Sequence, residues 1–127
     1  MSENSQTVRL VLASKSRDRK RLFELAKIPV EIVPSGFDED LVKEADPYIK
    51  VQKIAKAKAL KSYQIYCDKH NPTKNQRTVL IAADTMVLFR GKLIGKSGSR
   101  EEAKKNLKVL SGNFHHLLTG VAIKDSQ

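Results

Sequence analysis

The chain has 127 residues, which suits one domain with a buried core and leaves no length for a second. Its 40% hydrophobic and 30% charged content is that of a soluble globular protein, and no apolar run approaches the length of a membrane span. The net charge of +10 points to an anionic partner, yet the cations are scattered and no aromatic residue interleaves with them, which favours a small polyanion over long nucleic acid. The segment Met1–Thr7 is polar, without the basic-then-apolar layout of a signal peptide. A single cysteine, Cys67, allows no intramolecular disulfide, so the expected compartment is the cytoplasm.

Val8–Ala13 reads as a first strand, apolar enough to be buried on both faces. Ser14–Ser16 form a turn into a helix expected over Arg17–Lys27, with Leu22, Phe23, Leu25 and Ala26 as its core side. Pro29 ends that helix, and Val30–Val33 alternates as a short strand. A loop carrying the acidic run Asp38-Glu39-Asp40 follows. Asp46-Pro47 is an N-cap aspartate with proline at the first helical position, so a second helix is expected from Pro47 to about Tyr66. Val51, Ile54, Ala55, Lys58 and Ala59 fall near one of its faces, and Cys67–Arg77 reads as an exposed loop.

Val79–Ala83 is an apolar strand that delivers Asp84 and Thr85 at its carboxyl end. Met86–Phe89 and Lys92–Ile94 then pair as a hairpin about Arg90-Gly91. Ser99-Arg100-Glu101-Glu102 is a capping box opening a helix to Leu110, with Gly112 just past its end. A last strand spans about His115–Ile123. Strands alternating with helices predict an α/β fold, a mixed sheet flanked by helices.

Polar residues gather where this layout exposes loop ends. The first helix begins with Arg17, Arg19, Lys20 and Arg21, the wrong sign for a helix dipole unless an anion sits there with the hydroxyls of Ser14 and Ser16. A plain solvated basic face with Ser16 as N-cap is the other reading, and spacing leaves both open. Asp84 and Glu39 are candidate oxygen ligands for Mg²⁺, which takes one or two carboxylates plus substrate phosphates. Lys58, on an alanine-rich face, is either a snorkelling surface lysine or a charge partner for a triphosphate. Gly91–Ser97 imitates a P-loop but has three residues between its glycines where the motif has four, which leaves Lys96 as a phosphate contact on a loop. Together these features fit metal-assisted chemistry on a nucleotide polyphosphate.

The segments Leu12-Ala13-Ser14-Lys15-Ser16, Asp38-Glu39, Ala55–Ala59, Ala83-Asp84-Thr85, Gly95-Lys96, and Leu110-Ser111-Gly112 with His115 and Thr119-Gly120-Val121 resemble, in order, the motifs of the Maf family. The resemblance implies an α/β cleft fold similar to the inosine triphosphate pyrophosphatases. It also implies hydrolysis of a nucleoside triphosphate to the monophosphate and pyrophosphate with a divalent metal, Mg²⁺ or Mn²⁺. Carried over by motif, Asp84 is the proton acceptor, Glu39 and Asp84 hold the metal, and Ser14, Ser16, Arg19, Lys58 and Lys96 contact phosphates. Asp18 and Thr85 fall at positions that select the base. Thr85 matches the dTTP/UTP branch, whereas Asp18 stands where the family carries arginine or tryptophan, Arg17 where it carries proline, and Ser97 replaces the proline after Gly-Lys.

The resemblance further implies that residues 1–127 are the N-terminal two thirds of one such domain, incomplete at the C-terminus. Leu117–Ile123, an apolar strand with nothing after it in the chain to cover it, then invites self-association, and a homodimer is among the expected partners. Two other readings remain from the residues: a nucleotide-binding protein without turnover, and a basic nucleic-acid-binding module.

Overall fold

The computed structural model describes residues 7–127; segment 1–6, most of the stretch read for a leader layout, lies outside the described residues. In chain order the elements are β1 (Thr7–Leu12), α1 (Arg17–Leu25), β2 (Glu31–Ile32), a 3₁₀ turn (Glu39–Leu41), α2 (Pro47–His70), β3 (Gln76–Phe89), β4 (Lys92–Ile94), α3 (Arg100–Leu110) and β5 (His116–Asp125). The strands form one mixed sheet in the order β2-β1-β3-β4, with β5 also on β3. β1 runs parallel to β2 and β3, whereas β4 and β5 run antiparallel to β3. The fold is α/β, a mixed sheet flanked by helices.

β3 organises the sheet and differs from its expected form. Where Asp84 and Thr85 were expected to close a strand at Ala83, one strand runs unbroken from Gln76 to Phe89. The polar pair interrupts the apolar run, but the ladder to β5 does not break there: Val79–Leu88 pair in register with Asp125–His116. On the opposite edge β1 pairs only up to Ile81, and β4 begins only at Val87. The stretch Ala82–Met86 is therefore left unpaired on that edge. Asp84 lies just past the carboxyl end of the parallel part of the sheet, which is where α/β sheets open a ligand crevice.

α2 covers one face of the sheet. Val51, Ile54, Ala55, Ala59, Ser62 and Tyr66 of the helix are buried, against strand residues that include Val11, Leu80 and Ala82. The buried Ser62 hydroxyl donates to the Val33 carbonyl at 2.5 Å, which satisfies it inside the helix–sheet interface. Asp46 caps the helix by accepting from the Tyr48 N–H at 2.9 Å. At its other end α2 continues past Tyr66 to His70 and stops at Asn71, whose φ of 48° is left-handed. Cys67 accordingly lies in the helix and not in the expected polar loop, because a left-handed C-cap ends a helix, whereas a polar sequence alone does not.

The other face of the sheet is less covered. Leu117, Val121 and Ile123 of β5 are exposed, and so are Leu22 and Leu25 of α1, which contributes no buried residue. The expected core side of α1 is thus not a core side: its apolar residues share a stripe, but no described element lies over them. β1 likewise buries only Val11 and Leu12, while Val8 is exposed. Among the described residues no helix is long and apolar enough to cross a membrane.

Candidate active site

β1 leads directly into the turn that builds one wall of the cleft. The buried Ser14 hydroxyl accepts from the Ser16 N–H at 3.0 Å, and the Ser16 hydroxyl caps α1 by accepting from the Arg19 N–H at 3.3 Å. This cap satisfies one of the free N–H groups of the first turn and aims the helix N-terminus at the cleft. Arg19 folds back over the turn. Its Nη1 donates to the Ala83 carbonyl at 3.0 Å and reaches the Ser14 Oγ at 3.5 Å, while its Nη2 donates to the Thr85 Oγ1 at 2.8 Å. The guanidinium therefore occupies part of the unpaired edge of β3. The Thr85 hydroxyl also meets the Thr119 hydroxyl of β5 at 2.9 Å.

Asp84 stands on the α2 side of β3, with a side chain only 5% exposed. Its Oδ1 accepts from the Lys58 Nζ at 3.0 Å, and the same ammonium pairs with the Glu39 Oε1 at 2.7 Å. No donor reaches the buried Asp84 Oδ2. Burial pushes the Asp84 carboxyl above the ordinary aspartate range, against the pull of Lys58 and with the help of the neighbouring Glu39 charge. For Glu39 burial also raises the value, but the hydrogen bond and charge of Lys58, and the charge of Lys96, outweigh it and hold the carboxyl below its ordinary range. One lysine thus bridges two carboxylates at different depths.

Ser14, Ser16 and Arg19 on one side and Glu39, Lys58 and Lys96 on the other line a cavity of about 430 Å³, and Asp84 lies behind its wall, on Lys58. A second cavity of about 280 Å³ adjoins it and shares Glu39 and Lys96. The two carboxylates fit a hard divalent cation. Asp84 Oδ2 is a buried acceptor without a donor, Glu39 adjoins it at the rim, and oxygen donors are what Mg²⁺ takes. Among the described residues no three His, Cys, Asp or Glu side chains converge.

Of the residues singled out in the sequence, Ser14, Ser16, Arg19, Glu39, Lys58, Asp84, Thr85 and Lys96 come together at this cleft. Asp18 does not. It is exposed in the first turn of α1 and lines neither cavity. Two features went unread in the sequence. The hold of Arg19 on the β3 edge depends on a contact 64 residues away, and the apolar lining of the second cavity comes from three different elements. For the latter, the only sequence signal was the pairing of Val87 with Ile94 implied by the Arg90-Gly91 turn.

The model of the family described as Maf-like protein matches residues 9–127. Among similar proteins, a dTTP/UTP pyrophosphatase of Geobacillus sp. (strain WCH70) is 41% identical over 90% of this chain and 56% of its own length. A dTTP/UTP pyrophosphatase of Bacillus velezensis is 39% identical over 93% of this chain and 58% of its own. A nucleoside triphosphate pyrophosphatase of Synechococcus sp. is 35% identical over 93% and 56%. The chain thus spans somewhat more than half the length of these relatives. With a family model covering nearly all the described residues and the motif side chains gathered in one cleft, the chain belongs to the Maf family.

Proposed function

We propose that the protein hydrolyses nucleoside triphosphates between the α- and β-phosphates, giving the monophosphate and pyrophosphate. The observation that carries this reading is Asp84: a buried carboxylate behind the wall of a cation-lined cleft, one oxygen held by Lys58 of that wall and the other without a donor. The names of the relatives, dTTP/UTP and nucleoside triphosphate pyrophosphatases, support the same reaction class and favour UTP and dTTP as substrates.

In this reading the triphosphate enters the polar cavity, where Ser14, Ser16, Lys58 and Lys96 supply hydroxyls and positive charge, and Arg19 adds any donors left free by its bonds to β3. Asp84 and Glu39 would hold a divalent cation, Mg²⁺ or Mn²⁺, whose chemistry when bound is to polarise phosphoryl oxygens and offset their charge. Lys58 keeps Asp84 oriented through its Oδ1. Asp84 is the proton acceptor: its ionised carboxylate takes the proton of the water that attacks the α-phosphorus, while the α,β-bridging oxygen leaves with pyrophosphate. Thr85, tied to Arg19 and Thr119, falls at a base-selecting position, and the exposed Asp18 would act there only through an incoming nucleotide.

The test is pyrophosphate release from UTP, dTTP, ATP and GTP with Mg²⁺, comparing the protein with Asp84→Asn. Turnover should fall by ~10²–10⁴-fold, the usual contribution of a positioned general base. The variant should melt at or above the parent temperature. A carboxyl raised by the fold costs stability once pH exceeds its ordinary value, and the amide removes that cost. Unchanged release by folded Asp84→Asn protein would remove this residue from the mechanism, and no release from any of the four nucleotides by the parent would remove the activity.

A further inference from the structure

The loop after β2 lines the same cavity as the turn after β1, although the sequence singles out only its acidic run. β1 and β2 lie side by side and parallel, with Leu12 opposite Ile32, and the Val33 N–H donates to the Leu12 carbonyl at 3.0 Å. Both segments therefore leave the sheet at neighbouring carboxyl ends, where parallel sheets place their ligands. Each leaves with a buried serine. Ser14 is 8% exposed and Ser35 7%, and both line the cavity of about 430 Å³. The local fold repeats as well. The Ser14 Oγ accepts from the Ser16 N–H two residues on, and the Ser35 Oγ accepts at 3.2 Å from the Phe37 N–H, again two residues on.

A hydroxyl that accepts an N–H still has its own proton to give. Among the described residues neither serine gives it to a protein group: the Ser14 Oγ accepts a second time, from the Arg19 Nη1, and Ser35 makes no other hydrogen bond. Glu39, the carboxylate that lines the same cavity, is engaged by Lys58. Two buried donors are thus left for whatever fills the cavity, and a buried donor is costly to leave without an acceptor. The loop that carries Ser35 is braced along α2. Ser62 donates to the Val33 carbonyl, Lys61 Nζ donates to the Gly36 carbonyl at 3.2 Å, and Lys58 pairs with Glu39. Pro34 and Phe37 give this wall its apolar part, so Ser35 is the one hydroxyl that the loop brings to the cavity.

We infer that Ser35 is a second hydroxyl donor to the polyphosphate of the substrate, serving from the end of β2 as Ser14 serves from the end of β1. This assignment rests on the proposed triphosphate chemistry and adds to it a contact outside the residues that the motifs name. The cations and the hydroxyls then divide the work. Lys58 and Lys96 attract a polyanion over a distance, whereas an O–H donor is satisfied only by an oxygen within about 3 Å and in line with it. Two such donors, on loops that leave neighbouring strands, fix where the phosphoryl oxygens lie and not merely that an anion is held. A neutral donor also grips phosphate without competing with Lys58 for Glu39.

The experiment measures, by calorimetry, binding of inorganic tripolyphosphate to the protein, to Ser35→Ala and to Ser35→Thr. Nuclear magnetic resonance of the Leu41 and Val42 amides reports on the loop, because these N–H groups close its 3₁₀ turn on the Asp38 and Glu39 carbonyls. Ser35→Ala should weaken tripolyphosphate by about tenfold or more, the scale of a hydrogen bond to a charged group, with both amide signals in place. Ser35→Thr keeps the hydroxyl and should bind as the parent does. Weakening in Ser35→Ala that comes with displaced Leu41 and Val42 signals would mean that the serine only shapes its loop, and overturns the contact. Unchanged binding in Ser35→Ala overturns it too, as does a loss in folded Ser35→Thr equal to that in Ser35→Ala; in each case a parent that binds leaves the triphosphate reading standing. Failure of the parent to bind tripolyphosphate overturns that reading itself, and the contact with it.

Discussion

Lys58 serves two carboxylates at once, and its removal should be read through pH. In Lys58→Met, Glu39 and the deeper Asp84 would lose the ammonium they share, and each would disfavour ionisation of the other more strongly. Asp84, already raised by burial, would hold its proton to still higher pH. Catalysis needs the ionised form, so the acid limb of the kcat/KM profile should move to higher pH, and activity at its optimum should fall by ~10²–10³-fold, the cost of losing one preorganised donor. A limb that stays in place would mean that Lys58 does not tune Asp84. The gathering of these side chains was legible from residue types: serines before a helix, two carboxylates and two lysines were read as one site, and they converge. Asp18 was assigned to the site by its position in a motif and is exposed in the first turn of α1. The engagement of Arg19 with the Ala83 carbonyl was not legible, since no property of an arginine announces which distant strand edge is open.

Among the elements, α2 comes close to β5 at Gly120. A Cβ added at Gly120 would lie 2.6 Å from the Val51 carbonyl oxygen and 2.9 Å from the Gln52 nitrogen, both backbone atoms that cannot rotate away. Gly120→Ala should therefore lift α2 and cost ~1–3 kcal/mol, the range for overpacking. Gly95→Ala, with nothing within 4 Å, should stay within ~0.5 kcal/mol. Equal urea midpoints for the two variants would rule out the close contact. Gly120 pairs with Asp84 across the ladder, so the same substitution should also disturb the separation of Asp84 and Lys58. Element starts were legible where one residue decides them. Asp46-Pro47 opens α2, and Ser99 opens α3 by accepting from the Glu102 N–H at 3.1 Å, with the Glu102 side chain reaching back to the Gly98 N–H. Continuity was not legible. Asp84-Thr85 looks like the end of a strand to any local reading, and only the ladder to β5 carries β3 through it. The apolar stripe of α1 was read as a core side because periodicity names a face without saying what lies over it.

At the scale of the whole molecule, every other strand depends on β3: β1, β4 and β5 pair with it directly, and β2 is attached through β1. The strand that carries Asp84 is thus the last that can separate from the sheet without unfolding it, which holds the carboxylate still beside the cleft. Yet the same strand has two unlike edges at the site. Toward β5 it is closed at Asp84 and Met86; toward the cleft it is open at Thr85. Exchange of backbone protons for deuterons, followed by nuclear magnetic resonance, should therefore stutter along three consecutive residues, slow at Asp84, fast at Thr85 and slow again at Met86. Equal rates across the three would contradict the open edge. A nucleotide lying against that edge would slow Thr85 while leaving its neighbours nearly unchanged, so a single amide in the most firmly held strand would report whether the cleft is occupied.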